Sequence, residues 1–201
     1  MASIYDIKPQ FQALLRPLVG RLADAGVSAN QVTLGAILLS CASGATIMLF
    51  AQQHWPLLLV PLVLFIRMAL NAIDGMLARE HDMKTPLGAI LNELGDVLSD
   101  AALYFPIAFV VGINAALIVS VVFLGAVSEM AGVIAIQIGA ERRYDGPMGK
   151  SDRAFVFGVI GLALGFDLAP VSWINALLIV VALLLALTII NRCRRALEQI
   201  A

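Results

Sequence analysis

The chain has 201 residues, 61% of them hydrophobic and only 13% charged, with a formal net charge of −1. That composition excludes an ordinary soluble domain, in which about a quarter of residues are charged, and predicts an integral membrane protein. The net charge identifies no partner, because the information lies in where the charges fall along the chain.

Residues 4–24 place Ile4, Ile7, Phe11, Leu14, Leu15, Leu18 and Leu22 at helical spacing, with Lys8, Arg16 and Arg21 on the rest of the helix. An amphipathic helix lying in the membrane interface fits this pattern. A cytoplasmic helix packed on the bundle fits it equally, since Pro9 and Pro17 interrupt the repeat. Ser28-Ala29-Asn30-Gln31 then has the form of a capping box. It opens the first of six apolar stretches, at 30–51, 55–79, 86–112, 114–138, 153–169 and 171–191, most of them near the roughly 20 residues that cross a hydrocarbon core. The expected fold is therefore all-α, a single polytopic domain over 1–201 with a juxtamembrane helix in 1–27 and a six-helix transmembrane core in 28–201. Of the 13 Lys and Arg, 12 fall before the first stretch, at or between the facing ends of the second and third, at or between those of the fourth and fifth, or after the sixth. By the positive-inside rule that side is cytoplasmic and holds both termini. Cys41 and Cys193 have no metal-ligand or disulfide spacing and read as free thiols.

The second stretch begins at Trp55-Pro56 and ends in an unusual way for membrane sequence. Arg67, Asn71, Asp74 and Ala78 follow at steps of four, three and four, which puts them along one helical face. After a short polar turn, Pro86 suits the start of the next helix, on which Asn92, Asp96 and Asp100 recur every four residues. These two helices are expected to be antiparallel neighbours, with Gly75, Ala78, Gly88 and Gly95 allowing close backbone approach between them. A central Asp costs roughly 2.5–3.5 kcal/mol on membrane-insertion scales, so such residues face a cavity, a metal or one another. Glu129 lies in the fourth stretch in apolar surroundings and reads as a buried hydrogen-bond partner. The loop from Glu141 to Arg153 is the richest polar segment, and its Gly149-Lys150-Ser151 lacks the upstream glycine and strand of a Walker motif.

Hard oxygen ligands on facing helices suit Mg²⁺, Mn²⁺ or Ca²⁺ rather than zinc. A divalent ion held by carboxylates commonly neutralises a pyrophosphate, which points to phosphoryl-group chemistry at a membrane surface. At this point the residues resemble a known family, the CDP-alcohol phosphotransferases or phosphatidyltransferases. Its signature is D-x-x-D-G-x-x-A-R-x₈-G-x₃-D-x₃-D, and residues 71–96 read N-x-x-D-G-x-x-A-R-x₈-G-x₃-N-x₃-D. All but two defined positions match and the spacing is intact. The segment Val27–Thr33 also resembles the one that often precedes the family's first span.

The resemblance implies attack of an alcohol on the phosphate next to the lipid or alcohol moiety of a CDP-alcohol, with release of CMP. It makes Asp74 a metal ligand, Gly75, Ala78 and Arg79 the walls of the CDP pocket, and Gly88 the residue that keeps the facing helix close. Asp96 becomes both a metal ligand and the general base. Asn71 and Asn92 stand where the family has aspartates; their carbonyl oxygens can coordinate a hard cation but bring no charge. The set then falls from −4 to −2, which favours one divalent ion, Mg²⁺ or Mn²⁺, with Asp100 as the substitute ligand. Lys150 and Arg153 are candidates for holding a phosphate or headgroup, and Arg67 is either a counter-ion or a phosphate ligand. CDP-diacylglycerol is the expected donor, and a polar alcohol such as glycerol phosphate, inositol phosphate or serine the acceptor. The expected setting is the bilayer of a bacterial inner membrane, as a homodimer, with no nucleic-acid partner. Two other readings remain: a catalytically silent relative that binds CDP-lipid or metal, supported by the paired asparagines, and a cation transporter using Asp74, Asp96, Asp100 and Glu129.

Overall fold

The computed structural model describes residues 4–201, with side-chain surroundings from residue 9 onward; the side chains of Ile4, Ile7 and Lys8 lie outside the described residues. The described residues form seven α-helices and no strand: α1 (Ile4–Asp24), α2 (Ala29–Leu49), α3 (Trp55–Glu80), α4 (Pro86–Tyr104), α5 (Ala115–Ile134), α6 (Lys150–Gly165) and α7 (Val171–Ile200). Short 3-10 turns, Phe105–Phe109 and Ala135–Ile138, extend α4 and α5. The helix starts follow local chemistry. The Ser28 hydroxyl accepts from the Gln31 amide at 3.3 Å while Gln31 Oε1 accepts from the Ser28 amide at 2.8 Å, which is the expected capping box. Pro86 opens α4 behind Thr85, whose hydroxyl accepts from the Gly88 amide at 2.9 Å.

Four helical segments are long and apolar enough to cross a membrane: Ala29–Leu49, Trp55–Glu80, Ala115–Ile138 and Val171–Ile200. The third and fifth expected stretches do not reach that description. α4 is only 19 residues long and carries Glu93, Asp96 and Asp100, and α6 has 16 residues and begins with Lys150, Asp152 and Arg153. α7, expected to end near 191, runs on to Ile200 because Thr188, Arg192 and Ala196 continue its buried stripe at four-residue steps.

α1 is helical through both Pro9 and Pro17. Leu15, Val19 and Leu22 pack on Ile73, Met76 and Leu77 of α3, while Leu14 and Leu18 stay exposed. A bidentate pair from Arg16 to Glu80, both contacts 3.0 Å, ties α1 to the end of α3.

The expected direct packing of α3 on α4 is corrected by the structure: α2 packs against both, and they do not pack on each other along their lengths. Small buried residues on α2, among them Ala36, Ser40, Ser43 and Gly44, let the two flanking helices close on it. Gly95 faces α2 rather than α3, and a Cβ there would lie 3.0 Å from Ile37 Cδ1. A Cβ on Gly88 would likewise come within 2.7 Å of Asn30 Oδ1. Polar side chains meet across the space between α3 and α4, Arg67 with Asp100 and Asn71 with Asp96.

Candidate active site

The polar groups collect at one end of the bundle. Asp74 is buried on α3, and its Oδ2 accepts from the Thr33 hydroxyl of α2 at 2.8 Å. Across the gap, Asn71 Nδ2 donates to Asp96 Oδ1 of α4 at 3.4 Å, and the Lys150 ammonium from the first turn of α6 forms an ion pair with the same oxygen. Asp74, Gly75, Ala78, Arg79, Gly88 and Asn92 line one cavity of about 390 Å³. The Arg79 guanidinium folds back over Gly75, where a Cβ would sit 3.1 Å from it. Asn92 and Asp96 also line a second polar cavity of about 380 Å³, bounded by Lys150, Arg142, Glu129 and Arg192. An apolar groove of about 410 Å³ between α3 and α6, walled by Pro61, Leu64, Phe155 and Leu162, ends at Arg67, Asp100 and Lys150. Lys150 therefore stands where an apolar groove meets a polar cavity.

Two expected site residues, Asp100 and Arg153, are engaged by other side chains, and Arg67 takes the first of its two expected roles. Asp100, expected as a substitute metal ligand, has both oxygens engaged by guanidinium groups: Oδ1 by Arg67 at 3.0 Å and Oδ2 by Arg153 at 3.1 Å. Arg153, expected to hold a phosphate, is 4% exposed and spans Asp100 and Glu129, the latter at 3.1 Å. Arg67 is a counter-ion of Asp100. Arg192 Nη1 adds a contact to Glu129 at 3.4 Å, so one buried ionic chain joins α3, α4, α5, α6 and α7.

Three contributors were not singled out from sequence as site residues: Thr33, Arg142 and Arg192. Arg142 Nη2 lies 2.6 Å from Glu93 Oε2 and 3.5 Å from Glu129 Oε2, and its guanidinium stacks over Tyr144 at 4.2 Å. Only Arg192 left a trace in the pattern, as the continuation of the buried stripe of α7. The loop before α6 is fixed by its own contacts. Arg143 binds Asp145 through two bonds of 2.8 and 2.9 Å, which hold the Asp145 carboxyl below the usual carboxylate range. Gly146 has φ +121°, and a Cβ there would lie 2.6 Å from Thr188 Cγ2. Gly146→Ala is therefore expected to destabilise the protein by more than about 1 kcal/mol, read as a lower unfolding midpoint in detergent. An unchanged midpoint would mean that the loop does not need this close passage.

As donors for a divalent cation, Asp74 and Asp96 supply two carboxylates, and Asn71 and Asn92 two carboxamide oxygens. This set fits one hard ion better than two, and no group of three His, Cys, Asp or Glu side chains converges among the described residues.

A model of the CDP-alcohol phosphatidyltransferase family matches residues 27–195. The chain belongs to that family. It is 50% identical over 195 residues to the inner membrane protein YnbA of Escherichia coli, covering 97% of this chain and 96% of YnbA. It is 30% identical over 102 residues to the archaetidylinositol phosphate synthase of Pyrococcus horikoshii, covering 51% and 52% of the two chains. The fold is that of the phosphatidylinositol phosphate synthase PgsA1 of Mycobacterium tuberculosis. Its complex with manganese and citrate superposes with a TM-score of 0.73 at 20% identity, covering 90% of this chain and 87% of PgsA1. Its complex with CDP-DAG gives 0.70 at 21%, covering 92% of each.

Proposed function

We propose that this chain transfers the phosphatidyl group of a CDP-alcohol, with CDP-diacylglycerol as donor, to the hydroxyl of a polar alcohol, releasing CMP. The observation that carries this is the place of Lys150, between the apolar groove and the polar cavities and paired to Asp96. A donor with acyl chains on one side of its phosphates and a nucleotide on the other matches that junction. Gly75, Ala78 and Arg79 wall the nucleotide side, and Gly75 leaves room for the Arg79 guanidinium. Lys150 meets the phosphate nearer the lipid. Asp96 accepts the proton of the acceptor hydroxyl as its oxygen bonds to that phosphorus and the phosphoanhydride bond to CMP breaks. Asp100, Arg67 and Arg153 keep α3, α4 and α6 in position around the reacting groups. A Mg²⁺ or Mn²⁺ held by Asp74, Asp96 and the side-chain oxygens of Asn71 and Asn92 would supply positive charge against the pyrophosphate.

In this reading α4 and α6 complete a six-helix transmembrane bundle in the bacterial inner membrane, with α1 in the cytoplasmic interface and both termini cytoplasmic. The working form is a homodimer. The test is purified protein with labelled CDP-diacylglycerol, Mg²⁺ or Mn²⁺ and a panel of alcohols, following CMP and the lipid product. Metal- and alcohol-dependent CMP release is the expected result. Binding of CDP-diacylglycerol without turnover would instead favour a silent relative, the reading that the paired asparagines support. Asp74→Ala is expected to weaken Mn²⁺ binding at least tenfold in a direct titration, since one carboxylate would then remain among neutral ligands. Unchanged Mn²⁺ affinity would place the ion elsewhere.

A further inference from the structure

We propose that the acceptor is an alcohol without a phosphate, a polyol or an amino alcohol, because the polar cavity beside Asp96 has already neutralised every cation it contains. The inference rests on the transferase reading and narrows its acceptor.

Three cationic side chains face this cavity: Arg142, Lys150 and Arg192. Four acids face it as well, Glu93, Asp96, Glu129 and Asp152, which leaves a formal charge of −1. The cations are committed one by one. Lys150 is paired to Asp96 and Arg192 to Glu129, while Arg142 is bound by Glu93 at 2.6 Å and Glu129 at 3.5 Å, with Tyr144 covering its face. A helix N-terminus is the other usual seat for a phosphate. At α6 that place is taken by the chain's own Asp152, whose Oδ2 accepts from the Gly149 amide at 2.9 Å.

A phosphorylated acceptor carries nearly two negative charges at neutral pH. To gain Lys150 or Arg142 it must displace Asp96 or Glu93 and leave that carboxylate unpaired, and Arg192 is held by the Ser128 and Asp145 carbonyls as well as by Glu129. A divalent ion and the donor's pyrophosphate enter with opposite and nearly equal charge, so they do not alter the balance on the acceptor side. Arg142 Nε is buried and without a partner among the described residues, a single donor that suits a neutral hydroxyl oxygen.

Glu93 is the decisive residue, and its side chain is one-third exposed, so its replacement is compatible with folding. The experiment compares glycerol, inositol, ethanolamine and serine with glycerol 3-phosphate and inositol 1-phosphate as acceptors in the CMP assay. Binding of glycerol 3-phosphate is measured separately by calorimetry without donor. The wild type is expected to use the best unphosphorylated alcohol at least tenfold better than either phosphate ester and to bind glycerol 3-phosphate no better than millimolar. Glu93→Gln should raise use and binding of glycerol 3-phosphate about tenfold, and adding Arg142→Gln should abolish the gain. Asp152→Asn, on an exposed side chain, is a second and independent release of an anion seat and should act in the same direction. A wild type that prefers a phosphate ester, or variants that leave glycerol 3-phosphate binding unchanged, would overturn the inference. If no alcohol yields CMP, the transferase reading falls. Calorimetry then decides the charge argument by itself: tight wild-type binding of glycerol 3-phosphate refutes it, and binding gained only in the variants upholds it.

Discussion

Asp96→Asn is expected to lower CMP release by about 10²–10⁴-fold, the usual cost of losing a general base. A carboxamide keeps the size of the side chain and can still accept a hydrogen bond from Lys150, but it cannot take the acceptor's proton. The helix itself should be unaffected, since Asp96 is only partly buried and its partners Asn71 and Lys150 retain an oxygen to bind. The variant should therefore unfold at the wild-type temperature while its turnover collapses. A folded Asp96→Asn protein with wild-type turnover would remove this assignment.

Arg153→Leu is expected to have the largest effect on stability, about 3–5 kcal/mol, because it breaks a buried ion pair from one side only. Arg153 contacts Asp100 at 3.1 Å and Glu129 at 3.1 Å, and all three are buried. Leucine leaves Asp100 with Arg67 alone and Glu129 with its longer contacts to Arg142 and Arg192. Arg153→Lys should fall between the two, since an ammonium cannot present the two arms that reach both acids. The loss should appear in the thermal midpoint of the substrate-free protein. A variant with normal stability and a raised KM for the donor would return Arg153 to the role of phosphate ligand.

Much of this arrangement was legible in the sequence because it obeys local rules. Ser28 and Gln31 announce the start of α2, Pro86 that of α4, and the run from Asn71 to Asp96 identifies the family. What was not legible depends on which helices touch. Spacing places Asn71 and Asp96 on polar faces, but it does not show that α2 lies between α3 and α4. That arrangement follows from small residues on α2 whose sequence resembles any membrane span. The fate of Asp100 was hidden for a similar reason. Its partner Arg153 is 53 residues away in sequence, and the positive-inside pattern alone accounts for a basic residue there. Arg192 likewise looked like part of a basic tail until the buried stripe of α7 carried it inward.

The buried ionic chain also has an order along the sequence. α4 carries three acids in 19 residues, and an acid costs roughly 2.5–3.5 kcal/mol at the centre of an isolated membrane helix. Arg67 of α3 is the only one of their strongly paired cations that precedes them; Arg142, Lys150 and Arg153 follow, and Arg192, the last partner of Glu129, is nine residues from the end of the chain. Asp100 thus has Arg67 and Glu93 gains Arg142 before α6 is made, whereas Asp96 waits for Lys150 and Glu129 has only its 3.5 Å contact to Arg142 until Arg153 and Arg192 follow. The ionic chain is therefore completed only when α7 packs, and the set of partners around Glu129 is the last part of the bundle to be satisfied.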